Sequence, residues 1–172
     1  MSSKLRVYIP ATFAMLEELK ETGQLAARSG WGFALTSALK NFYREGDEEE
    51  IAYVAFQEAS MASLRLLAIG DEKQFPHRRV VISVDVPDSH VTPQPEMGEP
   101  VVKLDPATFS TQDLAAIHID VAEAEQATAQ AIAVIDEADL DDEDAHIVVG
   151  NALDNLMAFY DPTELPFLVE LL

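Results

Sequence analysis

Between Asp47 and Ile69 apolar residues recur at spacings of three and four, with neither proline nor glycine to interrupt them. That is the period of one long helix. Gly46 and Gly70 bound it, and Asp47 with Glu50 has capping-box spacing, Asp standing where Ser or Thr is usual. Glu48, Glu49 and Glu50 suit the positive end of its dipole. Ala52, Ala55, Ala59, Ala62, Leu66 and Ile69 share one face, and Tyr53, Met61, Leu64 and Leu67 lie towards the other. A helix apolar on both sides is expected to be enclosed on both, here between a sheet and other helices. At about 1.5 Å per residue it would span roughly 34 Å.

The flanking pattern supplies shorter elements. Leu5 to Ile9 reads as a strand stopped by Pro10. Thr12 caps a helix from Phe13 to about Leu25, which Gly23 could end early. Ser29–Gly32 is a turn, Phe33–Leu35 a second strand, and Thr36 or Ser37 caps a helix to about Arg44. Strand, helix, strand in this order predicts two parallel strands with a right-handed crossover. After an Asp71–Pro76 loop comes the clearest strand, Arg79–Val86, with Val80, Ile82, Val84 and Val86 on one face and Val81, Ser83 and Asp85 on the other. Residues 87–100 hold four prolines and read as a loop. Val101–Leu104 and Ala115–Ile119 are further strands, separated by a turn capped by Ser110 with Asp113.

Two helices follow. Asp120 with Glu123 caps the first, whose stripe is Ala124, Ala127, Ala131, Val134, Ile135 and Ala138. Asp141 with Asp144 caps the second, whose stripe runs from Ala145 to Leu156 and Phe159. Their short connection predicts an antiparallel pair. The tail from Leu165 to Leu172 is too apolar for a free end and should dock. The sum is a single α/β domain over residues 1–172. It has a mixed sheet of about five strands, the first two parallel, packed by the long helix and an acidic helical pair at 120–160. The repeated Pro-Ala-Thr-Phe at residues 10–13 and 106–109 is too short to carry weight.

Charge changes the picture more than length does. The 172 residues carry a net charge of −20, and no Lys or Arg follows Lys103. Residues 104–172 hold 16 Asp or Glu. Such a chain repels phosphate backbones and anionic lipid, which argues against nucleic-acid and membrane partners and leaves a basic protein or a cation. With 48% apolar residues the chain is not of disordered composition. It has no Cys, so disulfides, thiolate metal sites and cysteine nucleophiles are excluded. The residues after Met1 lack the apolar run of a signal peptide, and Gln57, Glu58 and Arg65 disqualify the long helix as a membrane span. A cytoplasmic location is the expectation.

Candidate chemistry is sparse. The acidic run from Asp136 to Asp144 alternates like a calcium loop, but Asp144 stands where the tight turn needs glycine and Gly150 where a bidentate Glu belongs. Glu143 and His146 form one Glu-x-x-His pair where a di-iron bundle needs two. No metal and no cofactor is therefore assigned. Glu58 and Arg65 read as a wet border of the long helix rather than the edge of a pocket. His118, near Asp85 and Asp120 on strands, could act as a base, but no nucleophile elbow accompanies it, and a hydrogen-bonded structural histidine is the simpler reading. Gly30 and Gly32 precede a strand instead of following one, so they make no dinucleotide fingerprint. His77-Arg78-Arg79 is the one tight basic cluster, suited to the chain's own acids or to a small anion.

Several stretches carry a resemblance: Arg6-Val7-Tyr8-Ile9-Pro10-Ala11-Thr12, Ala62-Ser63-Leu64-Arg65-Leu66-Leu67, Arg78-Arg79-Val80-Val81, and Ala116-Ile117-His118-Ile119-Asp120. Together they resemble a family of small uncharacterised proteins from actinobacteria, over nearly the whole chain. The resemblance implies a cytoplasmic bacterial protein and brings no catalytic residues. Two functions from different classes remain. The first is a non-enzymatic protein-interaction module, homo-oligomeric or bound to a basic partner, supported by the acidic third and the apolar tail. The second is a small-molecule (anion) binder or enzyme with a site near Arg65, Arg78, Arg79, Asp85 and His118, and with Thr12 and Thr36 at strand ends. A mimic of nucleic acid is a weaker third. Whether the protein is an enzyme is left open, and no catalytic residue is assigned.

Overall fold

The structure is a computed structural model, and it describes residues 3–70 and 75–171. The expected loop at Asp71–Pro76 thus lies mostly outside the described residues. In chain order the elements are β1 (Lys4–Ala11), α1 (Phe13–Thr22), β2 (Gln24–Ala26), β3 (Trp31–Ala34), α2 (Ser37–Phe42), α3 (Glu48–Ile69), β4 (Val80–Pro87), β5 (Val91–Pro93), β6 (Val101–Leu104), β7 (Thr108–Ser110), β8 (Leu114–Asp120), α4 (Glu125–Asp139), α5 (Glu143–Leu153), β9 (Met157–Tyr160) and α6 (Leu165–Leu171).

Seven strands form one sheet in the order β5-β6-β3-β1-β4-β8-β9, and β2 pairs with β7 in a second, two-stranded sheet. Every pairing is antiparallel. This overturns the expected mixed sheet of about five strands with its first two parallel. The reason lies after α1. Gly23 ends that helix in the left-handed conformation (φ 75°), its N–H bonding to Leu19 O. Gln24 to Gly30 then runs back, so β3 starts beside the end where β1 finished, with Tyr8 opposite Phe33. Pro10 does not stop β1, which reaches Ala11 and pairs along its whole length with β4. Residues 91–93, inside the expected loop, form the edge strand β5, where Pro93 is tolerated because an edge leaves donors unneeded. The second C-terminal helix ends at Leu153, not at Phe159, and Met157–Tyr160 forms the other edge strand.

The alternation along β1 and β4 sorts the layers. Val7, Ile9, Val80, Ile82 and Val84 meet α1, α6 and the small sheet in the main core. Leu165 and Leu168 of α6 are buried there, so the apolar tail docks as expected. Gly32 is needed on this face, since a Cβ would stand 2.6 Å from Val7 Cγ1. The opposite face receives α3, with α4 and α5 packed outside its C-terminal half. Ala55 and Ala59 are fully buried, and Leu64 joins Ala131, Ile135 and Val149 in a second cluster. The long helix is therefore enclosed on two flanks for part of its length, while Tyr53 (52% exposed) and Ile69 (70%) stay open.

Ser63 ties α3 to the sheet. Its hydroxyl donates to Ala11 O (2.8 Å) and accepts from Val80 N–H (2.9 Å), bridging two backbone groups that face each other across β1 and β4. Deeper still, Arg79 and Asp120 form a buried ion pair. Asp120 is thus not the helix cap its spacing suggests. Likewise Asp142, not Asp141, caps α5, accepting from Ala145 N–H (2.8 Å), and Asp141 takes a left-handed turn (φ 64°). Removing one partner of a buried pair strands the other, at a cost of about 3–5 kcal/mol. Asp120→Ala should lower unfolding free energy by that order in urea denaturation; a loss below about 1 kcal/mol would contradict the role given to the pair.

Candidate functional site

The residues proposed from sequence do not converge on one anion site. Arg65 meets Asp139 through two hydrogen bonds, one of 2.8 Å, which holds the Asp139 carboxyl below its ordinary range. Arg78 Nε donates to Glu125 Oε1 (2.6 Å). Arg79 donates to both oxygens of Asp120. Each guanidinium is matched to an acid of this chain. Thr12 and Thr36 cap α1 and α2, accepting from Met15 and Leu39 N–H. Glu58 and Arg65 line an open cleft of about 700 Å³ between α3, α5 and residues 97–101, so they edge a pocket after all. His146 lies on the surface 3.6 Å from Asp141. Among the described residues no group of three or more His, Asp or Glu is placed to hold a metal ion, and no helix is long and apolar enough to cross a membrane.

Asp85 and His118 do fall in one neighbourhood. They lie on the α3-facing side of β4 and β8, with Arg6 and Tyr8 on β1. Cross-strand register brings these residues together: Arg6 is opposite Asp85, Tyr8 opposite Ser83, and Ser83 opposite Ala116. Ser83 and His118 are diagonal neighbours, within reach of side chains. Arg6 gives Asp85 a two-pronged ion pair, with Nε and Nη2 each 3.0 Å from a carboxylate oxygen. That bond pushes the Arg6 pKa up.

Above these groups lies a second cleft, of about 350 Å³, between the first half of α3 and β9. Its rings form a row. Tyr53 stacks on Phe56 (centroids 5.8 Å apart), Phe56 meets His118 edge-on (4.8 Å), and His118 meets Phe159 (5.7 Å). Tyr8 packs edge-on to Phe56, and burial raises its phenol pKa. Leu156 and Met157 add apolar wall. Glu49, at the start of α3, supplies a carboxylate.

His118 is the polar centre. Its Nε2 is 3.0 Å from Ser83 Oγ. Burial, with a smaller push from the Arg6 charge, lowers its pKa to about 4, so the ring is neutral at pH 7. Ser83 is only 2% exposed, and its hydroxyl is turned to the ring. Ser83 also contributes to the lining of the cleft, so the pair presents a neutral imidazole hydrogen-bonded to a hydroxyl.

Arg6, Tyr8, Ser83, Phe56 and Phe159 escaped sequence reasoning. The signal available for three of them was alternation: Arg6-x-Tyr8 on β1 and Ser83-x-Asp85 on β4 put polar groups on one face of strands apolar on the other. Phe159 was hidden by the extension of the last long helix over it.

A protein-family model matches residues 5–169, and the chain belongs to that family, a family of unknown function (DUF6912). No curated protein matches the chain, and no solved structure matches it.

Burial of His118 makes stability depend on pH. Folding lowers it from about 6.5, so between about 6.5 and 4 the unfolded chain binds the extra proton. This histidine's contribution is then fully present above about pH 6.5 and is lost as pH falls towards 4. NMR titration of the imidazole should show a midpoint near 4 and no shift between pH 6 and 8; a midpoint at 6 or above would contradict the burial described.

Proposed function

We propose that this protein acts by binding a small molecule in the cleft between α3 and β9. The observation that carries the reading is the fixed, neutral His118, hydrogen-bonded through Nε2 to Ser83 and flanked by aromatic rings. His118 and Tyr8 line the cleft, and His118 Nδ1 and the Tyr8 hydroxyl have no hydrogen-bond partner among the described residues. The reading keeps Asp85 and His118 from the sequence-based site and replaces Arg65, Arg78 and Arg79 by Arg6. Because Arg6 is already matched to Asp85, the anion preference expected from sequence is dropped. No catalytic step is part of the reading.

A second reading, the protein-interaction module, draws on a separate observation. Leu156 and Phe159 are 78% and 65% exposed, at the start of and on the edge strand β9. An edge strand offers unpaired backbone groups to another chain. A second copy or a basic partner would then cover this edge. The lack of Cys supports a reducing cytoplasm as the setting, and the resemblance noted above supports a bacterial, actinobacterial source.

Titration with indole and with benzyl alcohol, followed by NMR of aromatic and methyl groups, tests the first reading. Shifts should concentrate on Tyr8, Phe56, His118 and Met157, and Phe56→Ala should weaken binding about tenfold, the equivalent of about 1.4 kcal/mol. Shifts confined to the cleft lined by Glu58 and Arg65 would sink it. Light scattering addresses the second: a dimer that Phe159→Lys returns to monomer favours it, and a monomer at all concentrations counts against it.

A further inference from the structure

We infer that the ligand of the α3–β9 cleft is an organic cation, an alkylated ammonium whose methyl groups lie against the rings while its charge faces Glu49. This deepens the small-molecule reading and rests on it. The walls supply the two features such a ligand needs. One is aromatic surface: Tyr8, Tyr53, Phe56 and Phe159 all line the cleft, and the negative face of an aromatic ring attracts a cation. The other is a carboxylate without an ion pair, exposed in the first turn of α3. Glu49 makes no ion pair and no hydrogen bond among the described residues, whereas Lys40 is taken by Glu48 and Arg6 by both oxygens of Asp85.

The other charges near the cleft are mostly acidic or neutral. The guanidinium on the wall, Arg6, is ion-paired to Asp85, although its charge still reaches His118. With its pKa near 4, His118 adds no positive charge at pH 7. Glu48 and Glu50 flank Glu49 in the first turn of α3, and the chain as a whole carries −20, which raises the local concentration of cations and repels anions. An anion entering the cleft would face the Glu49 carboxylate and the aromatic wall. A neutral molecule of the same shape would gain the apolar contact but not the attraction to charge.

Choline, its uncharged carbon isostere 3,3-dimethylbutan-1-ol, benzoate and indole separate these cases when each is titrated into the whole protein and followed by NMR at His118, Phe56 and Met157. Choline should bind about fivefold or more tightly than the isostere, a ratio in line with cation–π attraction at a partly exposed site. Glu49→Gln, a change at an exposed helix position, should reduce that ratio about threefold or more without altering the isostere's affinity. Equal or tighter binding of the isostere, a preference for benzoate, or a choline preference that survives Glu49→Gln unchanged would overturn the inference while leaving the cleft a small-molecule site. Binding of indole alone would overturn it in the same way. If none of the four shifts these resonances, the small-molecule reading falls with it.

Discussion

A guanidinium and a carboxylate sealed from water hold the far side of this sheet together. Arg79 is 1% exposed and Asp120 equally so. Asp120 accepts from Arg79 backbone N–H (2.8 Å), from Nε (3.0 Å) and Nη2 (2.8 Å), and from Thr128 Oγ1 on α4 (3.3 Å). Nη2 also donates to Asn155 O (3.0 Å), just before β9. Four segments meet at one pair: the entry to β4, the end of β8, the first turn of α4 and the approach to β9. Charges so buried are tolerated only when their hydrogen-bonding capacity is used, and here most of it is. The bond to Asn155 matters beyond stability. It fixes where β9 starts, and so sets Met157 and Phe159 beside His118.

The same principle, acid from the C-terminal third against base from the rest, recurs along the molecule. Arg65 with Asp139, Arg78 with Glu125, Arg79 with Asp120 and Lys20 with Glu170 all join residues before Lys103 to residues after it. The lopsided charge of the chain is in part a pairing scheme. Exposed members such as Lys20–Glu170 contribute little free energy, about 0–1 kcal/mol in general. Their effect is on placement: like charges in the wrong register would repel. The acids left over, notably at the α4–α5 turn, remain in solvent and keep the surface strongly negative.

Much of this was legible because it is periodic. The bounds of α3 followed from Asp47, the spacing of three and four, and Gly70; the faces of β4 followed from alternation over residues 80–86, with Val81 the one apolar residue on the more polar face. What escaped were elements too short to show a period. Gln24–Ala26 and Thr108–Ser110 are three residues each and become strands only by pairing with one another. Met157–Tyr160 is apolar throughout, so it continued the helical stripe before it, and only β8 makes it a strand. Strand direction was also invisible: a helix after a strand suggests a crossover, and nothing local to β1 or α1 reveals that Gln24–Gly30 doubles back. For the arginines, sequence offered two options, a ligand or the chain's own acids. Distance in sequence hid which acids would arrive, since Asp120, Glu125 and Asp139 lie 41 to 74 residues away.

The cleft follows from a contrast between the two faces of the same strands. One face of β1, β4 and β8 offers Val7, Ile9, Val84, Ile117 and Ile119, which pack into a closed core. The other offers Arg6, Tyr8, Ser83, Asp85 and His118 under the first half of α3. Close packing needs branched apolar side chains in complementary shapes, and a face of polar groups cannot supply them. The second half of α3, by contrast, lies over Ala11 and Val80, where Ser63 can reach the backbone and Leu64 can pack against α4 and α5. So the helix is packed by α4 and α5 along its second half and leaves a wedge under its first, walled by the aromatic side chains that α3 and β9 direct over His118. Apolar residues beneath the wedge would have extended the core; an ion pair, a hydroxyl and an imidazole leave it open instead.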